Sequence, residues 1–169
     1  IPIPLQGKVT EGKGWVLRNS KGQYTLTLDG LKAGSLERKT PALEIQGDLT
    51  LVLKKGTESE LLSTDAALKK GAGTLTIRGE GSLRLQGETA LEGEWKEETL
   101  NQDEPSALRI EGGKLVFTGE ETALYEDTVE LAGGEIQIQC LNGKGTGIRA
   151  HTLDDRHFSG SLEMEESEE

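Results

Sequence analysis

Large side chains are what this chain has least of. Aromatic residues are 4% of its 169 and apolar residues of every kind 33%, which excludes a core of interlocking rings. The fold must instead bury small and branched aliphatic side chains in regular layers. The single cysteine, Cys140, excludes an intrachain disulfide framework. Set in the alternating run Ile136-Gln137-Ile138-Gln139-Cys140, it reads as a small buried hydrophobe rather than a reactive thiol. No apolar run approaches the ~18 residues of a membrane span, which argues against membrane insertion. Lys and Arg number 19 against 30 Asp and Glu, a net charge of −11, so there is no cationic footprint for nucleic acid or an anionic membrane. A Gly-rich phosphate loop, a nucleophile elbow and a dinucleotide fingerprint are all missing. No window carries the 3.6-residue apolar rhythm of a helix.

What is present is repetition. Ser106-Ala107-Leu108 and Thr122-Ala123-Leu124 open two similar strand–glycine–strand units, and related phrases stand at Pro41-Ala42-Leu43, Ala66-Ala67-Leu68, Thr89-Ala90-Leu91 and Thr146-Gly147-Ile148. Between them run short alternating strands such as Tyr24-Thr25-Leu26-Thr27-Leu28, Leu49-Thr50-Leu51-Val52-Leu53 and Leu75-Thr76-Ile77, punctuated by glycines. Uneven intervals between like phrases are what a solenoid allows, because insertions fall in outer turns. The reading is all-β: a parallel β-helix of about six or seven irregular coils, roughly 30 Å long at one strand spacing per coil. Its alanines would ladder at a tight corner, and its Leu, Ile and Val would stack inward. A β-sandwich of hairpins is the alternative.

Residues 1–14, with Pro2 and Pro4, form an extended lead-in, a cap strand or a linker. Residues 15–164 form the β-helix domain, and residues 165–169 an acidic tail. The start at Ile1 rather than Met leads us to expect that a leader or tag has been cut away. Residues 90–104 break the alternation and read as an irregular rung or outward excursion.

Several stretches resemble the bacterial extracellular carbohydrate-binding proteins with a right-handed, pectate-lyase-like β-helix. They are Tyr24 to Gly30, Pro41 to Ile45, Asp48 to Thr57, Gly73 to Leu83 and Gly143 to Ile148. The resemblance implies a secreted or cell-surface protein that binds polysaccharide or another glycan, with calcium as the cofactor to look for. Lys144 and the basic Lys69-Lys70 stand where a carboxylate would be expected, which weighs against calcium. No catalytic residue carries over.

Two groups of residues could bear chemistry. Arg149, His151, Asp154, Asp155, Arg156 and His157 bring both histidines of the chain beside two carboxylates; lyase chemistry on an acidic sugar would use such carboxylates for calcium and a base for proton abstraction. A solvated outer turn is the plainer reading. Trp95 follows Glu94 in an acidic stretch. A tryptophan there could stack on a sugar ring while carboxylates bind its hydroxyls, or fold back to cover the stack. Three functions follow from these readings: a non-catalytic carbohydrate-binding module, a polysaccharide lyase-like or hydrolase-like enzyme on the same fold, and a structural or adhesion spacer of a surface protein.

Overall fold

The structure, a computed structural model, describes residues 9–94, 106–142 and 145–166. Among them the chain forms strands and turns and no helix. β1 (Val9–Gly12) and β2 (Trp15–Ser20) are an antiparallel hairpin, and β2 lies antiparallel to β3 (Gln23–Leu28). From β3 onward every pairing between strands is parallel, and each coil passes over three faces.

The first coil is β3, β4 (Lys32–Gly34) and β5 (Leu43–Ile45); the second is β6 (Leu49–Leu53), β7 (Glu58–Leu62) and β8 (Ala66–Lys70). In the third, β9 (Gly73–Gly79) leads to β10 (Ser82–Glu92), which covers the second and third faces in one strand broken by a register shift between Gly87 and Thr89. In the fourth, β11 (Ser106–Ile110) leads to β12 (Lys114–Tyr125), built the same way. β13 (Thr128–Leu131), β14 (Gly133–Cys140) and β15 (Thr146–Arg149) make the fifth coil, and β16 (Thr152–Asp154) with β17 (Ser159–Glu166) begins another. The result is a β-solenoid of about five turns. Its parallel register sets aside the sandwich alternative.

Like stacks on like, as the repeats predict. On the first face Leu26, Leu51, Ile77, Ile110 and Leu131 fall in register. On the second, Leu61, Leu85, Phe117, Ile138 and Met164 do so. On the third, Leu43, Leu68, Leu91, Leu124 and Ile148 do so. Nearly all of these side chains are buried, and burying each Leu or Ile favours the coil by ~1.5–3 kcal/mol. Ala42, Ala67, Ala90 and Ala123 are buried one residue ahead of the third-face ladder, the tight corner expected of them. Cys140 is buried opposite Gly119, its thiol 3.2 Å from the Asn142 carbonyl oxygen. That corner has no room for more: a Cβ at Gly119 would stand 2.0 Å from the Thr122 carbonyl oxygen.

Two expectations change. The count of six or seven coils is too high because Ser106-Ala107-Leu108 is not a copy of the third-face phrase. It lies on the first face, with Leu108 between Leu75 and Val129. Residues 90–92, expected to be irregular, complete β10 in regular register; residues 95–105 lie outside the described residues.

The two ends differ. β1 and β2 carry the first face beyond the first coil, while the third face stops at β5. At the other end Leu153, Leu162 and Met164 on the last strands are exposed.

Candidate functional site

On the third face the residue after each inward Leu or Ile points outward. These residues are Glu44, Lys69, Glu92, Tyr125 and Arg149, and they lie in one register. The column therefore presents one polar or aromatic group every ~4.8 Å along the solenoid. At its far end the Arg149 guanidinium lies over the Tyr125 ring, 5.7 Å from the centroid, a cation–π contact that stiffens both side chains.

At its near end the column borders a cavity of about 690 Å³, within the ~300–1,000 Å³ typical of small-ligand sites. The cavity follows from the uneven ends. The first face continues into β2 where the third has already stopped, so the inward side chains of β2 face no third-face strand opposite. Leu17, Ile45 and Leu49, each less than a tenth exposed, give it a small apolar floor over the fully buried Leu26, and Glu44, Lys69, Glu92 and Glu94 a charged rim. Burial is the chief reason that the Glu92 carboxyl is pushed above its ordinary value; Lys69 offsets this in part, and Asp65 and Glu88 add to it.

Behind the cavity wall lies a buried polar cluster. Ile45 and Lys70 share register, and Gly93 and Glu126 each stand one residue past the paired Glu92 and Tyr125. Gly93 thus sits between Lys70 and Glu126 in one inward column. With no side chain there, the two reach across it: Lys70 Nζ is 2.8 Å from Glu126 Oε2, with side chains 1% and 0% exposed. A Cβ at Gly93 would stand 2.3 Å from the Glu126 carboxyl carbon. Lys70 also donates to the carbonyls of Gly71 (2.9 Å) and Gly73 (2.6 Å) and to Ser106 Oγ (3.0 Å). Glu126 Oε1 accepts from Ser106 Oγ (2.6 Å) and Asp127 N (2.8 Å). Oε2 meets Lys70 as an ion contact and receives no aligned hydrogen bond among the described residues.

The residues singled out from sequence are divided among three places. Glu94 is on the cavity rim; Trp95 lies outside the described residues. Arg149 ends the outward column, and His151 stands just past it, its Nδ1 2.5 Å from Asp127 Oδ1. Asp154 to His157 occupy a different corner, between the first and second faces of the last coil. There Asp154 Oδ1 accepts from Arg156 Nε (3.0 Å) and backbone N (3.1 Å), and Oδ2 from Nη2 (2.9 Å). These bonds hold the Asp154 carboxyl down to about 2, with the Arg156 side-chain contact the largest cause. Asp155 and His157 are exposed in the same turn. The six residues therefore do not form one site. Calcium needs ~6–8 oxygen ligands, and among the described residues no three His, Cys, Asp or Glu gather where they could hold a metal ion. The residues do not fit a calcium cage.

Sequence reading missed Glu44, Lys69, Glu92 and Tyr125 as a group. The signal was the repeat itself: each occupies the position directly after the Leu of the phrase.

A family model described as carbohydrate-binding domain-containing protein matches residues 4–167. No curated protein and no solved structure matches.

Proposed function

We propose that this chain, which belongs to the carbohydrate-binding domain-containing family, is a non-catalytic module that binds polysaccharide outside the cell or at its surface. The observation that carries the reading is the continuity of the apolar-floored cavity with the outward column from Glu44 to Arg149. Sugar rings present apolar faces and a fringe of hydroxyls. An apolar floor receives the first, and carboxylates, an ammonium and a tyrosine the second. A linear column in solenoid register suits an extended chain better than an isolated monosaccharide.

The test is calorimetric titration with oligosaccharides of increasing length. Affinity that rises with length and falls ten-fold or more in Tyr125→Ala and Lys69→Ala supports the column. Equal affinity for a monosaccharide and a hexamer, or indifference to both substitutions, refutes it. The His151–Asp127 pair beside Arg149 favours a second reading, a lyase-like activity. Ultraviolet-absorbing unsaturated products from a uronic acid polymer, lost in His151→Ala, would establish that activity and overturn the non-catalytic reading.

A further inference from the structure

We infer that Lys70 and Glu126 form a self-modification site, where the two side chains condense in the folded chain into an internal amide that ties the second coil to the fourth. Lys70 ends β8 and Glu126 follows β12. Lys70 Nζ stands 2.8 Å from Glu126 Oε2, with both side chains enclosed. That approach is not along a hydrogen bond, since Oε2 receives none that is aligned among the described residues. Oε1, by contrast, accepts from the Ser106 hydroxyl at 2.6 Å and from the Asp127 N–H at 2.8 Å. One carboxylate oxygen therefore faces the amine, and the other lies between two fixed donors able to hold a developing negative charge. The carbonyls of Gly71 and Gly73 and the Ser106 hydroxyl fix the nitrogen in place, so the reactants are already ordered. No side chain at Gly93 stands between them: a Cβ there would lie 2.3 Å from the carboxyl carbon.

The Lys70 ammonium gives one proton to Oε2, leaving a neutral amine and a carboxylic acid. The Nζ lone pair then bonds to Cδ, and the π pair of the C–Oε1 bond moves onto Oε1, against Ser106 and Asp127. A second proton passes from Nζ to Oε2, the Cδ–Oε2 bond breaks, and Oε2 leaves as water while the Cδ–Oε1 double bond re-forms. The amide keeps one N–H for the glycine carbonyls and one oxygen for Ser106 and Asp127. The pair supplies every atom and proton. Two poorly hydrated charges are replaced by a neutral group, which removes the cost of burying them. Lys70 and Gly93 line the cavity, which takes the departing water.

The experiment follows the intact mass of the purified chain over days at neutral pH. The folded chain is expected to lose the mass of one water, while chain held unfolded in guanidinium chloride keeps its full mass. Trypsin should then fail to cut after Lys70, and fragment spectra should show residues 70–78 joined to residues 115–144 through one amide between Lys70 and Glu126. Ser106→Ala keeps both partners and removes one donor to Oε1, so it should close at least ~ten-fold more slowly; circular dichroism establishes that it is folded. A mass that never changes overturns the inference. So does a water loss that the fragments place elsewhere, as at Asp29-Gly30, or one that proceeds equally in the unfolded chain. Closure of Ser106→Ala at the parent's rate overturns the role given to the two donors.

Discussion

The buried pair of Lys70 and Glu126 allows a sharp test of how the solenoid is held together. Lys70→Met keeps the length of the side chain and removes its charge. Glu126 would then remain 0% exposed, with Oε1 still bonded to Ser106 and Asp127 but Oε2 facing no cation. The carbonyls of Gly71 and Gly73 and the Ser106 hydroxyl would each lose a donor. Removing one partner of a buried ion pair costs ~3–5 kcal/mol, a large part of the ~5–15 kcal/mol by which a domain is stable. Glu126→Leu alone strands the ammonium and should cost a similar amount. The double variant strands no charge. It leaves a few neutral groups unpaired at ~1 kcal/mol each, so it should be more stable than either single variant. Urea unfolding followed by circular dichroism, with unchanged m values, measures all four proteins. Single variants that cost under ~1 kcal/mol, or a double variant whose loss equals the sum of the singles, would refute the argument.

Two further predictions concern protonation. Glu92 has its carboxyl raised in the folded chain, so the folded state holds its proton to higher pH than the unfolded chain, and stability falls as pH rises through that interval. Glu92→Gln should therefore be slightly more stable than the parent at neutral pH, with the gain vanishing below ~pH 4 where both states are protonated; thermal melts across pH check this, and a gain that persists in acid contradicts it. Asp154 has the opposite sign: held down to about 2 by Arg156, it favours the folded state above the ordinary carboxylate value and loses that contribution as pH falls toward about 2. Carbon-detected NMR should show Asp154 titrating near about 2 in the parent and near ~4 in Arg156→Gln; an unchanged titration would mean that the pair does not persist in solution.

The ladder was legible in the sequence because solenoid stacking forces like residues to recur, and Ala-Leu recurs at 42, 67, 90 and 123. The same rule misled at Ser106-Ala107-Leu108. An alanine followed by an inward leucine also opens a first-face strand, and nothing local distinguishes the two faces. The outward column was encoded one residue past each phrase, but a chain with 30 acidic residues makes any single Glu unremarkable; only register turns Glu44, Lys69 and Glu92 into a row. Lys70 was read with Lys69 only as a basic pair standing where a carboxylate would be expected. Strand alternation sends one outward and the other inward, and the partner of Lys70 arrives two coils later, at a distance no local pattern reports.

That buried pair also ties β10 to β11. β10 ends at Glu92 and β11 begins at Ser106, and the inward column at this corner loses one side chain to glycine at Gly93. A plain apolar residue at 70 or 126 would be too short to close the gap at ~4.8 Å per coil. A lysine and a glutamate meeting across Gly93 do close it, and Ser106, the first residue of the returning strand, is bonded to both. The strand that leaves after Gly93 and the strand that returns at Ser106 are thus fixed to one cluster. This cluster lies beside the rim of the cavity, where Gly93 and Glu94 stand. The polar interior serves the outer site by holding still the wall on which Glu92 and Glu94 stand.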